Sequence, residues 1–120
     1  MSTAATVVTG LVALLHLYFL VLEMFLWTTP YGRRVFGMTP EQAGATRVLA
    51  ANQGLYNGFL AAGLAWGVAL GAAGLALKVF FLSCVVLAGV YGAMTANRRI
   101  LWVQAMPAAV ALALLYLARG

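Results

Sequence analysis

From Ala5 to Trp27 the chain is almost wholly apolar, with His16 and Glu23 its only side chains that ionise near neutral pH, and two more apolar stretches of similar length occupy its second half. Such a run, at 1.5 Å per residue, is long enough for the roughly 30 Å hydrocarbon core of a bilayer. Hydrocarbon offers backbone N–H and C=O groups no partner, so each run must satisfy its own hydrogen bonds, which means a helix. Composition agrees: 65% of the 120 residues are hydrophobic and 8% are charged, against about 25% charged in soluble domains. The chain reads as an all-α integral membrane protein with one domain, residues 1–120. Its function is expected in or at the membrane. The first run lacks a basic leader and exceeds a signal-peptide core, so it is expected to be retained as a span.

Four helices are predicted, at about 5–27, 40–70, 75–97 and 100–117, giving a four-helix bundle. The second is the most informative. Thr39 suits a cap, Pro40 a first helical position and Gln42 a capping-box partner. No proline follows up to Leu70, so one helix of about 30 residues, some 45 Å, is expected to cross the bilayer and extend beyond it. At about 100° per residue, Asn52, Gln53, Tyr56 and Asn57 fall within one polar arc of about 140°. Gly54, Gly58 and Ala62, flanked by Ala51 and Ala61, make a small-residue stripe that lets another helix approach. Arg47, a turn or two earlier, can reach headgroups or a neighbouring helix.

On the first helix His16 and Glu23 stand seven residues apart, close to two turns, and so share a face. Ionisable groups within a span usually face a bundle interior or a watery cavity. His16 reads either as a neutral imidazole bonded across the bundle or as a ligand or proton-handling group. Glu23 reads either as the partner of Arg47 or as a carboxylate facing a substrate. The connection TTPYGRRVFGMTP, with Pro30, Gly32, Gly37 and Pro40, reads as the longest loop, and its Arg33–Arg34 pair as a contact for anionic headgroups or an anionic ligand.

Gly71 to Gly74 is expected to turn tightly into the third helix, where Lys78 snorkels to the interface and Cys84, Ala88, Gly92 and Ala96 form a second close-contact stripe. Pro107 is expected to kink the fourth helix. Arg33, Arg34, Arg98 and Arg99 fall on one side of the membrane and Lys78 and Arg119 on the other. The positive-inside rule then makes the two arginine-rich loops cytoplasmic and both termini external, in a multi-pass protein of the cell membrane.

The net charge of +5 is spread over helix ends rather than gathered on one solvated face, which argues against nucleic acid as a partner. The single cysteine, Cys84, permits no intrachain disulfide and no cysteine-based metal site, and no metal-ligand spacing, catalytic triad or phosphate-cradling glycine loop is present.

Two segments, EMFLWTTPYGRRVFG (Glu23 to Gly37) and TRVLAANQGLYNGFLAAGLAWG (Thr46 to Gly67), resemble a family of small four-helix bacterial membrane proteins of unknown function, across nearly the whole chain. More distantly, Arg47-Val48 followed by Ala51-Asn52-Gln53 is similar to the second-helix motif of the membrane-associated proteins in eicosanoid and glutathione metabolism. Arg99-Ile100-Leu101-Trp102 resembles the place where the glutathione transferases of that superfamily carry a thiol-activating arginine. That resemblance implies a homotrimer with ligands between subunits, self-association at the second helix, and glutathione or a similar thiol as cosubstrate. The chain departs from it at Asn57 and Gly58, where the enzymes carry an acidic residue and a tyrosine.

Three functions are open on these residues. The chain binds a lipophilic or amphiphilic ligand at a polar cluster of Glu23, Arg47, Asn52, Gln53, Tyr56 and Asn57, with His16 on the same side. Alternatively it is a thiol-using enzyme, with Arg99 as the catalytic cation. Lastly it is a small transporter built on His16 and Glu23, although the two halves show no repeat.

Overall fold

A computed structural model describes residues 2–119, which are helical almost throughout with no strand among them. The elements are α1 (Thr3–Met24), α2 (Pro30–Phe36), α3 (Pro40–Ala69), a 3-10 turn (Gly71–Gly74), α4 (Leu75–Thr95), a π-helical turn (Leu101–Ala105) and α5 (Met106–Arg119). Three stretches, Thr3–Met24, Gly71–Thr95 and Leu101–Ala118, are long and apolar enough to cross a membrane. The longest helix, α3, is not among them, because Asn52, Gln53 and Asn57 interrupt its apolar run.

Capping chemistry explains the starts. The Thr39 amide donates to Gln42 Oε1 at 2.9 Å, and the Gln42 amide donates to Thr39 Oγ1 at 3.1 Å. This reciprocal box opens α3 directly before Pro40, as the sequence predicts.

The segment expected as a loop holds α2 instead. Thr29 caps it by accepting from the Gly32 amide at 3.2 Å, Pro30 occupies its first turn, and Gly37 ends it at φ 64° with its N–H on the Arg33 carbonyl. Proline at a helix start and glycine just past its end are helix signals as much as turn signals, so the same residues fit both readings.

The chain forms two compact units. One comprises Leu14–Ala61, the other Met1–Ala13 together with Ala62–Gly120. In the first, the stripe of α3 packs on α1. A Cβ on Gly54 would meet the Met24 side chain at 2.8 Å, Glu23 Cβ at 3.0 Å and the Leu20 carbonyl at 3.2 Å, and one on Gly58 would meet Leu20 at 2.6 Å. The close approach that the stripe permits is therefore taken up by a helix of the same chain.

In the second unit α4 packs along the π turn and α5. Its buried face is Lys78, Leu82, Val85 and Gly89, a helical spacing of four, three and four. This corrects the expected stripe: Ala88 and Ala96 are exposed and Cys84 is half-buried, while Gly92 lies against Ile100. Gly89 is the tight point, since a Cβ there would lie 2.6 Å from the Ala105 nitrogen. The π turn faces it. Pro107 has no N–H for the Val103 carbonyl, and just before it the Met106 N–H bonds to Leu101 five residues back, so the irregularity falls where the donor is missing.

Lys78 does not snorkel. It is 1% exposed, its stem lies against Gly67, and Nζ donates to the Gly71 carbonyl at 3.0 Å. Gly67 leaves room for the stem, and Gly71, which opens the 3-10 turn at φ 61°, supplies the acceptor.

Candidate functional site

The polar centre of the Leu14–Ala61 unit is built on the last turn of α1 and the middle of α3. Glu23 is 4% exposed and Asn57 is 9% exposed. Gln53 Nε2 donates to Glu23 Oε2 at 2.5 Å, and Asn57 Nδ2 donates to Oε1. Residues 53 and 57 are one turn apart on α3, so their amides reach the two oxygens of a single carboxyl group. Gly54, between them, allows the carboxyl-bearing backbone to come that close.

Neither amide makes a further side-chain hydrogen bond among the described residues. Each keeps an N–H and a carbonyl oxygen, and Asn57 Oδ1 is not sealed off, because the Arg33 Nε is the one buried side-chain N or O atom without a partner among them. The arrangement thus anchors a carboxyl group while leaving both donors and acceptors beside it.

The remaining expected site residues are placed as follows. His16 is fully buried on the Glu23 side of α1, edge-on to Phe19 with ring centroids 5.4 Å apart. Arg47 is exposed and forms no ion pair with Glu23, so of the two readings of that carboxylate the arginine partner is replaced by two amides. Asn52 and Tyr56 are exposed, Tyr56 lying edge-on to Phe59 at 5.6 Å. Arg99 belongs to the other unit. It is exposed where the chain re-enters helix, and Asn97 Oδ1 accepts from its backbone N–H at 2.9 Å. The structure thus brings together Glu23, Gln53 and Asn57 out of the predicted set.

Sequence reasoning missed two links on the same unit. Trp27 Nε1 donates to Thr46 Oγ1 at 3.0 Å, and the Tyr18 and Tyr31 hydroxyls share a hydrogen bond. Amphipathic aromatics near a span end were the available signal, since their polar tips need partners when half-buried.

The described residues thus form helices without strands, three of them long and apolar enough to cross a membrane, with an amide-clamped carboxyl group in their apolar part. The chain belongs to the family described as Protein of unknown function (DUF1304), which matches residues 10–116. A relative in Lactococcus lactis subsp. lactis (strain IL1403), Uncharacterized protein YpaA, is 32% identical over 114 residues, covering 93% of this chain and 96% of the relative. No solved structure matches.

Proposed function

We propose that this is a multi-pass membrane protein that binds a lipophilic or amphiphilic ligand at Glu23, Gln53 and Asn57. The observation that supports this reading is the unspent hydrogen-bonding capacity of the two amides beside a carboxyl group already held at both oxygens. A ligand with a hydroxyl or amide head finds donors and acceptors there, and its tail finds the exposed apolar side chains of α3, Leu55 and Phe59. In this reading α3 is the fourth crossing of a four-helix bundle, with the α1–α3 and α4–α5 connections cytoplasmic and both termini outside. Assembly as a homotrimer would cover the exposed Asn52 and Arg47, which lipid would leave unsolvated.

The test is ligand-dependent thermal stability in mild detergent, with a monoacylglycerol and reduced glutathione as separate probes. The wild-type chain is expected to gain stability with the monoacylglycerol, and Gln53→Leu to lose most of that gain, read against its own ligand-free baseline. A cluster that only fixes helix register predicts that no probe stabilises the wild type. Stabilisation by glutathione alone would move the assignment to the thiol-using reading.

A further inference from the structure

The seven-residue helix α2 carries a cation that the chain itself does not answer. Arg33 is half-buried, its Nε is enclosed with no hydrogen-bond partner, and none of its guanidinium nitrogens bonds to another described residue. The sequence holds two acidic residues, Glu23 and Glu41. Glu23 has both oxygens on amides, and neither acid pairs with Arg33. Arg34, beside it, sits over the Tyr31 ring at 5.9 Å.

The position of α2 says what kind of acceptor can reach it. It is locked to the end of a membrane-length helix: a Cβ on Gly32 would lie 1.9 Å from the Leu26 carbonyl oxygen, Phe36 packs on Trp27 with ring centroids 4.8 Å apart, and Tyr31 shares a hydrogen bond with Tyr18 of α1. Tyr31, Val35 and Phe36 are exposed alongside the two arginines. Aromatic and apolar side chains mixed with arginine match the boundary between headgroups and acyl chains.

We infer that α2 is a headgroup-binding element that takes the phosphodiester of an anionic phospholipid, with the two Nη nitrogens of Arg33 as a fork to two phosphate oxygens and Arg34 as a second cation. Guanidinium geometry matches phosphate bidentately, and enclosure of Nε holds the fork in place before the lipid arrives. Free phosphate satisfies the same two Nη nitrogens but leaves the exposed aromatic and apolar side chains in water, so the lipid is the source that fits the whole surface.

The experiment uses the full chain in nanodiscs of phosphatidylcholine with phosphatidylglycerol, and reads the phosphatidylglycerol retained in native mass spectrometry after transfer to detergent. The wild type is expected to retain phosphatidylglycerol over phosphatidylcholine. Arg33→Gln is expected to weaken that retention roughly fivefold, the ratio that about 1 kcal/mol per basic side chain gives, and Arg34→Gln by no more. Arg98→Gln, on a different connection, is expected to change it little. Should Arg33→Gln fail to fold by circular dichroism, Arg33→Lys decides: it keeps the charge and loses the fork, and weakened retention is expected. Equal losses in Arg33→Gln and Arg98→Gln, wild-type retention by Arg33→Lys, or displacement of the lipid by millimolar inorganic phosphate would each overturn the assignment.

Discussion

Asn57 carries more of the site than its neighbours on the same arc. It is buried where Gln53 is exposed, although each of the two is the one donor to its own Glu23 oxygen. Replacing it with leucine leaves Glu23 Oε1 without a partner in an apolar setting, at a cost of about 1–3 kcal/mol; hydrogen bonds between membrane helices average about 0.6 kcal/mol, so the lower half of that range is expected. A double-mutant cycle on unfolding in detergent should give coupling between Glu23→Gln and Asn57→Leu, and none beyond about 0.5 kcal/mol between Glu23→Gln and Arg47→Gln. Coupling to Arg47 instead would contradict the geometry. The arc itself was legible from 100° spacing, but which of its members meets α1 was not. Asn57 is the arc residue nearest the glycine stripe, about 60° from Gly54, and only the knowledge that α1 fills that stripe picks it out.

At the scale of the element, three glycines in close contacts make different predictions. Gly58 would place a Cβ against the flexible end of Leu20, whereas Gly32 and Gly89 would place one against backbone atoms. A side chain can turn away and a helix backbone cannot, so Gly58→Ala is expected within about 1 kcal/mol of wild type, while Gly89→Ala and Gly32→Ala each cost about 1–3 kcal/mol in thermal unfolding. For Gly32→Ala the Trp27 environment should change as well, because Phe36 leaves it when α2 lifts from Leu26; unchanged Trp27 fluorescence would argue against the docked α2. Sequence reasoning placed the start of α3 through its capping box. It read α2 as a loop because seven residues are too few for a hydrophobic period to register.

For the whole molecule, length and apolarity were enough to identify helices that could cross a membrane and not enough to say how many cross. The amides that make α3 chemically interesting are the same groups that lower its apolarity below that of α1, α4 and α5. Orientation is testable with an impermeant maleimide on intact cells, in a Cys84→Ala background. Gly44 has open space at its Cβ position and Ala72 is exposed, so both tolerate cysteine. Ala72→Cys is expected to label from outside and Gly44→Cys only after permeabilisation; the opposite pattern would invert the topology.

Lys78 is the chain's one lysine, and it lies sealed against Gly67 with its ammonium on the Gly71 carbonyl. Amine-directed reagents therefore meet a molecule with no accessible side-chain amine while the turn between α3 and α4 stays closed. Acylation of Lys78 becomes a clock for the opening of that turn: its rate reports how often the hairpin parts, much as amide exchange reports local unfolding. A Gly67→Ala chain, whose added methyl would sit 2.7 Å from the Lys78 stem, should run that clock faster.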